Sequence, residues 1–325
     1  MKAIASLRCV SSVTRRYLFS EAFFGFGIGI WNIALNFHYR MHGLDEVTIS
    51  ALLGVAFFAT AITAFFCGRL GDGIGFPKVM GIGGILVGIA LVLNAVAGQL
   101  FLFVLAQIIY GMGLSCIVSM EYPQLLSYVE KAQSGFAYNA AIMVYFLSSV
   151  LGNLFAGVFA DLSDLQNPYQ TLLLISAAMY FVLGVTRGQM PRQRVVTPPK
   201  MRIVTVLRQR DVLSYLLFGF VTMVIFNGVM SMLNLILREW HGLSDMVIGG
   251  VFAAGSVLGG CVVMLLPPLQ NRFGNERLAL WFMLAQAAGI MLLSVSGALM
   301  TAMLICVRNM ATNCIYSTVD RPMLQ

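Results

Sequence analysis

The chain has 325 residues, of which 59% are hydrophobic and only 10% charged. A soluble domain is about 25% charged, so this composition excludes a water-facing globular surface. The net charge of +7 is gathered between long apolar runs, a pattern set by membrane orientation and not by nucleic acid.

No segment alternates as a barrel strand would. The fold class is all-α, a polytopic membrane protein, because a spanning helix needs about 20 apolar residues and the sequence offers ten such runs, at 17–37, 46–67, 79–98, 100–120, 135–160, 168–186, 213–237, 246–268, 277–295 and 298–317. "TRRYLF" before span 1 weakly resembles a twin-arginine export signal. The following run is long enough to span and has no small-residue cleavage site, so it reads as a membrane helix.

Span 1 carries Glu21, Asn32 and Asn36, which share one helical face with Gly25 and Ile28. Such a face lines a water-filled cavity or bonds neighbouring helices. His38 and His42 have metal-ligand spacing but no third ligand, and no metal is expected. After span 2, "CGRLGDGIGFPK" holds glycines at alternate positions. A phosphate loop would follow a strand and continue Gly-Lys-Ser/Thr, whereas here Val79 follows Lys78. It is a tight turn between antiparallel helices, with Asp72 placed to face a helix N-terminus. Span 4 carries Gln107, Gly111 and Gly113. Asp161 and Asp164 after span 5 read as solvated caps. Small residues recur at Ala56, Thr60, Ala64 and Gly68, at Gly111, Ser115 and Ser119, at Gly152, Ala156 and Ala160, and at Gly255 and Gly259. These stripes suit either sliding interfaces or static packing.

The polar stretch 188–210 divides the chain into an N-terminal bundle, 1–187, and a C-terminal part, 211–325. Span 7 gathers Asn227, Ser231, Asn234 and Arg238 on one face, and Arg308 lies alone in span 10. A buried unpaired Arg costs at least ~2.5 kcal/mol, so Arg308 reads as functional. The six cysteines contain no Cys-x-x-Cys pair and read as packing residues. With the N-terminus placed in the cytoplasm, inside segments hold 17 of the 20 Lys and Arg; seven lie between Arg187 and Arg210.

The two parts repeat. "HGL" at 42–44 returns at 241–243, and at the same offset Leu70 meets Leu269, Asp72 meets Asn271, Gly75 meets Gly274, and Lys78 meets Arg277. An even number of spans separates the copies, so the repeat is parallel. Second copies of spans 5 and 6 would fall near 334–385, past Gln325. The expectation is six helices plus an incomplete second bundle of about four.

Gly68, Leu70, Asp72, Gly75 and Lys78 resemble the loop motif of the major facilitator superfamily, with Gly73 replacing its usual Arg. The second copy keeps Leu269, Arg272, Gly274 and Arg277, with Pro267 and Asn271 substituted. Gln107, Gly111 and Gly113 match that family's span 4 pattern except for its Arg.

The resemblance implies a secondary transporter, not an enzyme. It implies alternating access, a small-molecule solute and a cavity lined by spans 1, 4, 7 and 10. It also implies a gating loop whose Asp faces the start of span 11, and proton coupling with no bound cofactor. The chain is then a monomer in the inner or plasma membrane, with no nucleic-acid partner. The other reading is a truncated, transport-inactive product of such a carrier.

Overall fold

The structure is a computed structural model. It describes residues 11–130, 133–193, 232–293 and 299–306, with Leu213, Leu217 and Gly297. Contacts divide the chain into two compact units, Met1–Val195 with Ser244–Ala253, and Val196–Leu243 with Ala254–Gln325.

The first unit is built from α1 (Ser12–Met41), α2 (Glu46–Ile74), α3 (Phe76–Val96), α4 (Leu100–Ser127), α5 (Ser134–Leu162) and α6 (Pro168–Gly188). All six are long and apolar enough to cross a membrane. α1 begins at Ser12, ahead of the apolar run, because Ser11 caps it by accepting from Thr14 N at 3.1 Å. Asp45 caps α2 in the same way, from Thr48 N at 3.0 Å. The Thr48 hydrogen bonds hold its exposed carboxyl below the usual carboxylate range. Asn167 caps α6 just before Pro168, a residue suited to a first helical turn.

Short turns make successive helices antiparallel. α1 packs on α5 and α6, α3 on α4 and α6, and α2 on α4. The packing order is therefore α2, α4, α3, α6, α1, α5. The end members are the least covered: 28% of the apolar window of α2 and of α5 is buried, against 61% in α1 and α3.

The glycine stripes work inside this unit. A Cβ on Gly84 would sit 2.6 Å from Gly184 Cα, and one on Gly81 would sit 2.6 Å from Gly188 Cα. α3 and α6 thus touch backbone to backbone. Gly152 meets Phe26 and Gly29 of α1, and Gly111 meets Ala56, Ala59 and Thr60 of α2. Gly68 has open space beside it.

The described part of the second half holds α7 (Leu233–Leu235), which runs on as a π-helical turn, Ile236–Trp240. α8 (Asp245–Phe273) and α9 (Asn275–Leu293) follow. α8 starts in the first unit and passes into the second at Ala254.

Local geometry repeats with the sequence. Gly43, Gly75, Gly242 and Gly274 have φ of 76°, 96°, 64° and 79°. They form two pairs at the offset already seen in "HGL" and in the loop motif. Gly75 N donates to Gly71 O at 2.9 Å, and Gly274 N to Gln270 O at 2.9 Å. Only glycine adopts these φ values without steric cost, which is why it holds both turns in both copies.

Candidate functional site

Two polar clusters inside the first unit involve residues singled out from sequence, with the partly exposed Asn32 between them. The first cluster lies toward the end of the unit that carries Arg15, Arg16, Arg69 and Lys78. Glu21 of α1 and Arg187 of α6 are fully buried, with Arg187 Nη2 2.5 Å from Glu21 Oε1. Arg187 Nε donates to Ser20 Oγ at 2.9 Å, and the guanidinium lies 4.5 Å from the centre of the Tyr17 ring. The ion pair is close but not aligned as a hydrogen bond, since neither Glu21 oxygen nor Arg187 Nη2 has a well-directed partner. Glu121 of α4 is near enough to interact electrostatically with both. Two carboxylates therefore share one guanidinium where α1, α4 and α6 meet.

Arg187, counted from sequence among the basic residues of an inside loop, belongs to the last turn of α6 and is buried. Glu21 is enclosed by protein. Glu121 was missed altogether, because it falls one residue beyond the apolar run assigned to span 4.

The second cluster is toward the other end. Gln107 Nε2 of α4 donates to Tyr39 Oη of α1 at 2.5 Å. Tyr39 in turn donates to Asn94 Oδ1 of α3 at 2.6 Å, and Asn94 Nδ2 donates to Ala90 O at 3.0 Å. His38 Nε2 lies 3.0 Å from Asn94 O and so carries the proton there. Gln107 stands where the loop-motif family has Arg, and here its amide ties three helices together.

Between the clusters, α1 presents Trp31 and Asn32, both partly exposed. The Trp31 indole stacks on Tyr110 at 5.4 Å with an interplanar angle of 4°. Asn36 is buried. Gly25 packs against Tyr145 and Ser148 of α5. Of the α1 face expected to line a cavity or to bond neighbouring helices, Glu21 and Gly25 contact helices and Asn32 is partly exposed. Asn234 is buried in α7, its Oδ1 accepting from Leu235 N at 2.9 Å. Asn227, Ser231 and Arg308 lie outside the described residues.

At the α2–α3 turn, Gly68, Asp72 and Lys78 are exposed. Arg192, from the segment after α6, crosses the turn. Its Nη2 donates to Asp72 O at 3.1 Å, and its side chain fills the space where a Gly75 Cβ would project. Sequence reasoning missed this brace, since nothing local links Arg192 to the motif. In the second copy Gly274 starts the α8–α9 turn, flanked by exposed Arg272 and Arg277. Asn271 lies on α8 near that turn. Among the described residues no three His, Cys, Asp or Glu side chains gather as metal ligands.

The family profile of the Major Facilitator Superfamily matches residues 17–320. The chain belongs to the major facilitator superfamily. Its fold is that of solved members. The nucleoside transporter NupG superposes with a TM-score of 0.72 at 12% identity, over 96% of this chain and 81% of that one. A bacterial homologue of the human lysosomal transporter Spinster, in an inward-facing and unoccupied conformation, gives 0.73 at 13% identity, over 94% of this chain and 73% of that one. No curated protein sequence matches the chain. This superfamily chain is a multi-pass membrane protein, and its family and fold are those of transporters, not of enzymes.

Proposed function

We propose that the protein is a secondary active transporter that moves a small, neutral or amphipathic organic solute across the cell membrane. It acts as a monomer with a cytoplasmic N-terminus. Two helical bundles alternate access to a midplane site. The observation that carries this reading is the repeat, where the same left-handed glycine turns occur at Gly43 and Gly242 and at Gly75 and Gly274. Duplicated bundles in like orientation are one of the two repeat arrangements on which alternating access is built.

Asn32 and Asn36 on α1, with Gln107 and with Asn227, Ser231, Asn234 and Arg308 of the second half, supply the polar groups of the site. The motif turns, Gly68 to Lys78 and Asn271 to Arg277, gate its cytoplasmic side. The Glu21–Glu121–Arg187 cluster serves proton coupling. Two carboxylates, Glu21 buried and Glu121 half-buried, against one guanidinium leave one negative charge to compensate, and a single proton does so at least cost.

Counterflow in liposomes tests the transport reading. The purified chain is loaded with unlabelled solute and given labelled nucleosides and other neutral organic solutes outside. Saturable exchange of at least one solute is expected. A folded, monodisperse preparation that exchanges none of them contradicts it.

A further inference from the structure

The start of α8 is capped in an unusual way. Four N–H groups at a helix start lack intrahelical partners. In α8 three of them have partners. Val247 N donates to Ser244 Oγ at 3.4 Å within its own segment, and the intrahelical ladder begins with Ile248 N on Ser244 O at 3.0 Å. Asp245 N and Met246 N donate to Asp161 Oδ1 and Oδ2, at 3.1 and 2.9 Å, and Asp161 lies at the end of α5. Tyr169 Oη of α6 donates to Asp245 Oδ2 at 2.5 Å.

The repeat shows what is different here. Position 244 pairs with 45, and in α2 the capping carboxylate is that helix's own Asp45. In α8 that position is an uncharged Ser, and the capping carboxylate comes from another helix. Asp245 in its own first turn stays with the α8 dipole throughout, whereas the Asp161 carboxylate meets it only while α8 is docked.

The docking surface is equally distinctive. A Cβ on Gly157 would sit 2.5 Å from Asp245 O, and one on Gly249 would sit 2.5 Å from Asn153 O. The two helices meet backbone to backbone at these glycines. Asp161 is exposed, so on release its charge and the freed N–H groups pass to water with little desolvation cost.

We propose that Asp161, with Tyr169 and the Gly157–Gly249 crossing, is a releasable latch that holds the start of α8 on α5 and α6, and that sets how often this end of the carrier opens. The latch rests on the alternating-access reading and assigns residues to one of its steps.

The test is cysteine accessibility at Ile248, which is fully buried in the docked state. In a background without native cysteines, Ile248→Cys is reacted with a membrane-impermeant thiol reagent applied from the Asp161 side. Asp161→Ala should raise the reaction rate about twofold to fivefold, the strength of a partly exposed cap. Gly157→Leu, which wedges the crossing apart, should raise it further. Asp164→Ala should leave it unchanged. Circular dichroism and gel filtration check that each variant is folded. Unchanged labelling in folded Asp161→Ala and Gly157→Leu variants, with counterflow intact, overturns the latch and leaves transport standing. Raised labelling in a chain that exchanges no solute supports the latch and overturns the transport reading.

Discussion

Arg187 shows how one side chain at the last turn of a span can hold three helices. It reaches Ser20 and Glu21 of α1 and feels Glu121 of α4, all from α6. Removing one member of a buried ion pair typically costs about 3–5 kcal/mol, because the other charge stays behind uncompensated. Arg187→Gln should therefore lower the melting temperature in detergent markedly, and Glu21→Gln combined with it should recover much of the loss. A double variant no more stable than Arg187→Gln alone would show that the pair does not act as a unit. Glu121→Gln separates stability from coupling. It should keep counterflow but lose accumulation driven by a pH gradient, and undiminished accumulation would remove Glu121 from the proton path. This cluster was illegible in the sequence for a simple reason. Glu21 was visible inside its run, but its partners Glu121 and Arg187 each sit one residue beyond an apolar run, where a hydropathy reading assigns charges to water. Asp161 is the exposed cap the sequence suggested, but its partner was illegible, because a carboxylate in an exposed turn gives no local sign of a helix start more than eighty residues later.

Among the elements, the helices and turns were legible. Five of the six helices contain their predicted runs, since a membrane span leaves few alternatives to a helix; α3 ends at Val96, two residues short of its run. Boundaries shifted outward where polar caps such as Ser11 extend a helix past its apolar core. The glycine turns were legible through their repetition. Which stripe meets which helix was not, because small residues mark close approach without naming the partner. The α3–α6 crossing gives a sharp contrast. Gly84→Val would press a side chain onto Gly184 Cα, and overpacking of this kind costs about 1–3 kcal/mol. Gly73, exposed near the end of α2, has nothing within 4 Å of a new Cβ. Gly73→Ala should be neutral or gain up to about 1 kcal/mol. Thermal melts of the two variants in the same detergent check this, and equal destabilisation would contradict the backbone-contact reading.

At the scale of the whole molecule, family membership, the multi-pass fold and the internal repeat agree. The polar map of the first unit adds a division of labour. Glu21 and Arg187 are enclosed at one end, a neutral hydrogen-bond chain of Gln107, Tyr39 and Asn94 closes the other, and Asn32 is partly exposed between them. On the proposed transport reading, a solute site on α1 centres on Asn32, with the coupling charges held apart from it. The most direct test is two-sided accessibility of Asn32→Cys in a background without native cysteines. The variant is reconstituted in one orientation and treated with an impermeant thiol reagent from either side in turn. The account predicts modification from both sides, slowed from each by the transported solute. Modification from one side only under every condition, or solute-independent modification from both, would contradict alternating access at this site.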